Sequence, residues 1–215
     1  MDGYRFEVVE IFDSLEGEGS WMGRHSAFVR LYGCNLRCTW CDSTHAYEKR
    51  FSGESLTADA IVDRVRDRAV SSVTITGGEP FLCEALPALV AALTQAALEV
   101  KIETNGTLWQ PELAHHITPQ LFIACSPKPP EYRVDERLMA HVSELRFVAD
   151  GQLKSEAIWQ EPFIEAYKRG VPVVLQLQSG APESLSRAQE LQRELFEHGM
   201  SVRVLPQMHK LLQIP

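Results

Sequence analysis

The chain has 215 residues, 45% of them hydrophobic and 23% charged, with a formal net charge of -8 and a sequence pI near 5.4. This length fits one domain or two small ones with a substantial core, and an acidic balance lacks the basic footprint of a nucleic-acid binder. No stretch approaches the ~20 apolar residues of a membrane span, and the start, MDGYRFEVVEIF, lacks the apolar run of a signal peptide.

Short β-rich runs alternate with amphipathic helical ones, without internal repeats or low-complexity segments. SAFVRLYG (26–33) is the first predicted strand, and LTADAIVDRVRDRAV (56–70) follows as a helix. That helix opens on Thr57 as N-cap and carries Ile61, Val62 and Val65 on one face. Next come a strand at SSVTIT (71–76), a helix at EALPALVAALTQAA (84–97), and strands at LEVKIET (98–104), LFIACS (121–126) and ELRFVA (144–149). SEAIWQEPFIEAYKRG (155–170) reads as a helix closed by Gly170, and VPVVLQ (171–176) as a strand. A helix at SLSRAQELQRELFEHG (184–199), ending at Gly199, and a strand at SVRVL (201–205) complete the series.

Strands alternating with such helices predict βαβ units on a parallel sheet. Six or seven strands are fewer than an eightfold barrel needs. The expected fold is therefore α/β, a partial (open) parallel β/α barrel forming a single domain over 1–215, with its chemistry at the C-terminal strand ends. Four unusual segments fall at such ends: the cysteine run from Cys34, TGGEP (76–80), ETNGT (103–107), and a loop broken by Pro127, Pro129 and Pro130.

The expected compartment is the cytoplasm, where thiols stay reduced. An odd count of five cysteines then points to metal binding or catalysis rather than disulfides. Cys34, Cys38 and Cys41 are spaced C-x3-C-x2-C, one thiolate short of a closed four-thiolate site. Two readings are open at this point. His45 could complete a structural Cys3His zinc site. Alternatively, three thiolates could hold a [4Fe–4S] cluster whose fourth iron stays open to a substrate.

In TITGGEP, Gly77 and Gly78 let backbone approach a ligand closely, Glu79 can pair with an ammonium group, and Pro80 fixes the next turn. A plain strand-to-helix turn would look similar. It is not a Walker A loop, because no Gly-Lys-Ser/Thr follows. GEGSWMG (17–23) is no dinucleotide fingerprint either: its last glycine falls one position late and no strand leads directly into it.

C-x3-C-x2-C after a strand, with Trp40 before the last cysteine and GGEP one unit later, resembles the radical S-adenosylmethionine (SAM) superfamily. Within it, IFDSLEGEG, FVRLYGC, CDS, TGGEP, ETNGT, SPK and a terminal IP resemble the family of 7-carboxy-7-deazaguanine synthases. The resemblance implies a [4Fe–4S] cluster on Cys34, Cys38 and Cys41 that cleaves SAM to methionine and a 5′-deoxyadenosyl radical. It also implies Mg²⁺, the substrate 6-carboxy-5,6,7,8-tetrahydropterin, ring contraction with loss of ammonia for queuosine and other deazapurines, an electron donor such as flavodoxin, and a homodimer.

By the same resemblance Leu15, Glu16, Gly17, Arg30, Thr76 and Pro215 bind substrate, and Ser43 supplies a Mg²⁺-binding hydroxyl. SAM contacts fall to Gly78 and Glu79, to Ser126, Pro127 and Lys128, and to Gln176, Leu177, Gln178 and Ser179. No classical general acid or base is implied. The tail LPQMHKLLQIP is expected to fold back over the site. Two departures stand out: QLQSG replaces an expected proline-containing loop, and Glu16 stands where glutamine is usual, turning a donor and acceptor into an acceptor only.

The remaining histidines show no metal-ligand spacing: His115 and His116 read as a short helix, His198 as near a helix end, His25 as a turn, and His209 as surface or packing. Cys83 and Cys125 read as small buried hydrophobes. Two rival functions share the cysteines: a radical SAM activase that installs a glycyl radical on a partner enzyme, and a zinc-binding interaction module.

Overall fold

The computed structural model describes residues 3–48 and 50–215. In chain order its strands and helices are β1 (Phe6–Leu15), β2 (His25–Leu31), β3 (Glu54–Leu56), α1 (Ala58–Arg66), β4 (Ser72–Gly77), α2 (Leu86–Gln95), β5 (Glu99–Thr104) and β6 (Leu121–Cys125). Then follow α3 (Glu136–Met139), β7 (Glu144–Ala149), α4 (Ser155–Ile158), α5 (Phe163–Lys168), β8 (Val173–Leu177), α6 (Glu183–Glu197), β9 (Arg203–Leu205) and α7 (Met208–Leu212).

Two compact units divide the chain. The first is Met1–Ser14, His25–Thr104 and Leu108–Ile123; the second is Leu15–Arg24, Asn105–Thr107 and Ala124–Pro215. Hydrogen-bonded strand order runs β3-β1-β2-β4-β5-β6 in the first and from the end of β6 through β7, β8 and β9 in the second. The pairs β2–β4, β4–β5, β6–β7, β7–β8 and β8–β9 are parallel, and the edge pair β1–β3 is antiparallel. Among the described residues neither β3 nor β9 has a second neighbour, so the order is open. The expected α/β class with an open, mostly parallel sheet is what the chain adopts.

Side-chain alternation with a period of two gives each unit one apolar and one polar strand face. In the first unit Ala27, Val29, Leu31, Val73, Ile75, Val100 and Ile102 form the apolar set, each at most 2% exposed. Register sets the polar side: Arg30 lies opposite Thr76, and Thr74 opposite both Phe28 and Lys101. In the second unit Leu145, Phe147, Val173 and Leu175 are buried, and Phe147 packs edge-on to Phe163 at 5.2 Å between centroids. Glu144, Arg146 and Gln176 occupy the alternate positions.

The helices follow their local signals. Thr57 Oγ1 accepts the Ala60 N–H at 3.2 Å and caps α1, whose Ile61, Val62 and Val65 are buried as their spacing predicts. Burying each such side chain contributes about 1.5–3 kcal/mol.

Four expectations need correction. The described residues hold two strands more than predicted, because β1 carries charged residues among its apolar ones and its partner β3 spans only three residues. The helix predicted over 155–170 breaks into α4 and α5 around Pro162, since a proline lacks an N–H and disfavours helical geometry in the residue before it. A strand does lead into GEGSWMG, for β1 ends at Leu15; the dinucleotide motif still fails because a 3-10 turn at Gly19–Trp21 and then β2 follow, not a helix. His25 begins β2 rather than a turn, whereas His115 and His116 lie in a short helix as expected, at the end of a 3-10 turn.

Candidate functional site

In the first unit the cysteine loop leaves β2 through Gly33, whose N–H donates to Ala46 O at 2.8 Å and closes the loop on itself. Inside it Cys41 N donates to Cys38 O at 3.2 Å, and Leu36 N to Cys34 Sγ at 3.4 Å. Arg37 holds the loop's shape: Nη1 donates to Cys34 O at 2.8 Å, and the guanidinium lies 4.4 Å from the Tyr47 ring centroid. A hydrogen bond to Cys41 pushes the Tyr47 hydroxyl up to about 12. Burial pushes the Cys34 thiol up, and the charges of Glu79, Cys38 and Cys41 add to it.

None of the five cysteines is in a disulfide, and Cys34, Cys38 and Cys41 are half-buried. His45 does not turn to them. Its Nε2 lies 3.3 Å from Glu10 Oε1, so the fourth ligand of the zinc reading is committed elsewhere. Three soft thiols on one short loop suit the iron–sulfur set.

TGGEP packs directly against this loop. A Cβ on Gly78 would lie inside van der Waals contact with Gly33 O and the Cys34 Cβ, so only glycine lets the two backbones approach. Glu79 N donates to Gly33 O at 2.7 Å. The Glu79 side chain, 1% exposed, takes the Phe81 N–H at 3.1 Å and Thr104 Oγ1 at 2.7 Å, both on Oε1. Thr76 Oγ1 donates to Glu103 Oε2 at 3.1 Å, and buried Lys101 Nζ sits 3.0 Å from Glu103 Oε1. Thus ETNGT, a rim segment and family motif in the sequence, contributes two side chains that aim TGGEP.

Arg30 spends Nε on Glu10 at 2.7 Å and Nη1 on Ser43 Oγ at 3.2 Å. Ser43 Oγ also lies 2.9 Å from Asp42 Oδ1, which brings two hard oxygens together. The Glu10 carboxyl is held below its ordinary range: burial opposes this, and the bonds and charges of Arg30 and His45 outweigh it.

In the second unit the segment from Leu15 doubles back on itself. Glu16 N donates to Arg24 O at 2.7 Å and Gly23 N to Glu16 O at 2.8 Å. The tail seats on this turn, with Met208 N donating to Gly17 O at 2.9 Å. A Cβ on Gly17 would collide with the His209 ring, so glycine is required for the approach. Leu211 and Leu212 stay 69% and 53% exposed; α7 seats through backbone and His209, not through its leucines. Ile214 N donates to His209 O at 3.1 Å, turning the chain toward Pro215.

The other predicted SAM residues also lie in this unit. Lys128 Nζ donates to Ser126 Oγ at 2.7 Å, which folds the SPK loop on itself around Pro127. Gln176 Nε2 donates to Leu205 O at 2.9 Å, and its Oε1 is buried with no hydrogen-bond partner among the described residues. Gln178 N donates to Ser184 Oγ at 2.9 Å, and Leu177 ends β8 between them. Sequence reasoning missed Glu18, Arg146 and Gln207. Arg146 Nη1 and Gln207 Nε2 each donate to Glu18 at 2.7 Å. Buried Glu144 accepts both the backbone and the hydroxyl of Ser20.

The predicted residues therefore form two sets. Cys34, Cys38, Cys41, Ser43, Arg30, Thr76, Gly78 and Glu79 belong to the first unit, and Leu15, Glu16, Gly17, Ser126, Pro127, Lys128, 176–179 and Pro215 to the second.

Residues 28–120 match the Radical SAM superfamily. The chain is 38% identical over 206 residues to a 7-carboxy-7-deazaguanine synthase of Aquifex aeolicus, covering 95% of this chain and 92% of that one. It is 32% identical over 226 residues to that of Rickettsia prowazekii, covering 99% and 90%. Among solved structures, QueE from Escherichia coli matches with a TM-score of 0.71 at 21% identity over 95% of both chains. Streptococcus suis SuiB bound to S-adenosylmethionine matches with a TM-score of 0.56 at 14% identity, over 83% of this chain and 46% of that one. Those two structures speak to the fold. The two sequence relatives, above 30% identity along nearly the whole chain, settle the family: the chain belongs to the 7-carboxy-7-deazaguanine synthases of the radical SAM superfamily.

Proposed function

We propose that the chain converts 6-carboxy-5,6,7,8-tetrahydropterin to 7-carboxy-7-deazaguanine with loss of ammonia, as a carbon–nitrogen lyase. The observation that carries this reading is three thiols outside any disulfide on a loop packed against Gly78, in a chain 38% identical to such a synthase. A [4Fe–4S] cluster and SAM, when bound, supply hydrogen-atom abstraction from the substrate.

The chain's own residues do the positioning. Cys34, Cys38 and Cys41 hold the cluster. Glu79, aimed by Thr104 and Phe81, offers a carboxylate to the SAM ammonium, while Gly78 brings backbone close beside Cys34. The buried, unpartnered Gln176 Oε1 offers a further acceptor to SAM, alongside 177–179 and the SPK loop. Arg30 presents a planar fork to the substrate carboxylate, and Thr76, Leu15, Glu16, Gly17 and Pro215 line the substrate.

The Ser43 hydroxyl, with the Asp42 carboxylate beside it, would hold Mg²⁺, whose charge would serve to orient the substrate carboxylate. The Arg30 N–H takes one lone pair of Ser43 Oγ, which leaves the second for the cation. In this reading the two units act as one catalytic domain with the tail as its closing segment. A flavodoxin-type electron donor, a homodimer and a cytoplasmic location accompany it by family resemblance. Among the described residues no helix is long and apolar enough to cross a membrane.

The test is anaerobic reconstitution with iron, sulfide, SAM, reductant, Mg²⁺ and the carboxy-tetrahydropterin. Deazaguanine product with a brown chromophore is expected. SAM cleavage without that product would refute the substrate, and stoichiometric zinc in place of iron would refute the whole reading.

A further inference from the structure

We propose that Gln207 is a positioning residue that couples the SAM segment 176–179 to the substrate segment 15–17, an inference resting on the function proposed above. Its side-chain amide bridges the two. Oε1 accepts the Ser179 N–H at 3.1 Å, and Nε2 donates to Glu18 Oε1 at 2.7 Å. Glu18 is in turn anchored through Oε2 by Arg146 Nη1 at 2.7 Å, and the Arg146 side chain is 4% exposed. The next residue binds the same segment by backbone, Met208 N to Gly17 O at 2.9 Å. Two positions earlier Leu205 O accepts Gln176 Nε2 at 2.9 Å. The start of the tail is therefore tied on one side to residues 176 and 179 and on the other to 17 and 18.

The chemistry of the bridge is specific. It needs one group that accepts from a backbone N–H and donates to a carboxylate, which a primary amide does. A carboxylate at this position would accept from Ser179 but repel Glu18, and an ammonium would donate to Glu18 but leave the Ser179 N–H without an acceptor. Ordering residues 176–179 on SAM thus pulls Gln207, and through Glu18 fixes the turn that carries Glu16 and Gly17. Because coupling between two binding sites is reciprocal, substrate must tighten SAM by the same factor that SAM tightens substrate.

The experiment uses the cluster-loaded, full-length protein and compares Gln207→Leu, Gln207→Glu, and Gln207→Glu combined with Glu18→Gln. The combined variant reverses the polarity of the bridge while keeping a donor, an acceptor and a partner for Arg146. SAM affinity is measured with and without the carboxy-tetrahydropterin, and amide hydrogen exchange is followed with SAM alone. Wild type should show coupling of about 5-fold or more, the two single variants about 1-fold, and the combined variant a return toward wild type. SAM alone should slow exchange over 14–24 in wild type and in the combined variant, but not in the single ones.

Unchanged coupling in Gln207→Leu overturns the proposal, as does failure of the combined variant to recover. Should Gln207→Leu fail to fold, the near-isosteric Gln207→Glu and its combined partner decide. Should wild type bind SAM but not the pterin, the proposed function falls. The exchange measurement then still judges the bridge, and absence of slowed exchange over 14–24 in wild type overturns it.

Discussion

Thr104 Oγ1 donates to Glu79 Oε1 at 2.7 Å, a bond between the end of β5 and the loop after β4 that leaves neither side chain free to turn. Glu79 is 1% exposed, so its carboxylate is desolvated and depends on protein donors for its aim.

Thr104→Val keeps the shape and removes one donor. A hydrogen bond to a charged group contributes about 1.5–3 kcal/mol, so SAM affinity should fall by roughly tenfold or more. Iron content should stay at wild-type level, because the cysteines do not touch this bond. Equilibrium dialysis with SAM on the reconstituted protein checks both; unchanged affinity would mean that Glu79 is not aimed by Thr104.

Lys101 and Glu103 test the polar strand face of the first unit. The Lys101 side chain is 1% exposed and Glu103 24%, with Nζ and Oε1 3.0 Å apart. Glu103→Gln removes the countercharge beside a buried ammonium and should cost about 3–5 kcal/mol in denaturant unfolding. Lys101→Met should cost less, since Glu103 retains some solvent. The double variant should be more stable than Glu103→Gln alone, a non-additivity expected of a contacting pair. Equal, additive losses would show that the two charges act independently.

How much of this was legible in sequence depended on how local the signal was. Cys34, Cys38, Cys41 and TGGEP could be read because each motif closes within a few residues, and β7 matched its prediction residue for residue as ELRFVA. Lys101 and Glu103 carried a period-two signal in LEVKIET, but only the register of β4 beside β5 shows which face they share with Thr74 and Thr76. The bond from Gln207 to Glu18 joins residues 189 apart, and that from Ser20 to Glu144 residues 124 apart. No window of sequence holds both partners of either. β1 was missed because Glu7, Glu10 and Asp13 interrupt its apolar pattern, and Glu10 is the partner that holds Arg30.

That Glu10 carboxyl gives a pH prediction. Its folded value is depressed by Arg30 and His45, against the opposing effect of burial. A depressed carboxyl contributes stability that is fully present above its unfolded value of about 4.3 and is lost as pH falls through the folded value. Wild type should therefore exceed Glu10→Gln in stability at neutral pH, with the difference shrinking as pH falls below the unfolded value and lost once pH has fallen through the folded one. Urea unfolding from pH 3 to 7 measures it. A difference that persists at the acid end would refute the ion pair as its source.

At the other end of the chain, Ile214 N to His209 O at 3.1 Å fixes the approach of Pro215. Deleting Ile214 and Pro215 should raise KM for the pterin about tenfold while leaving iron content and SAM affinity unchanged, because no cluster or SAM residue lies in those two positions. Unaltered KM would remove Pro215 from the substrate contacts.

Gly17 and His209 offer the sharpest test of how the tail is seated. A methyl group on Gly17 would overlap the His209 ring, and Met208 N to Gly17 O at 2.9 Å holds the two backbones too close for either to yield. Gly17→Ala should therefore cost about 1–3 kcal/mol, as overpacking does, and speed amide exchange at Met208 and Ile214. His209→Ala removes the ring that the methyl would strike. Combined with Gly17→Ala it should restore the slow exchange at Met208, since the backbone bond can re-form once the clash is gone, and the two substitutions should be strongly non-additive in thermal unfolding. If the double variant is as destabilised as the sum of the singles, the tail is not seated by the fit of His209 on Gly17, and the Gly17 requirement must come from its backbone alone.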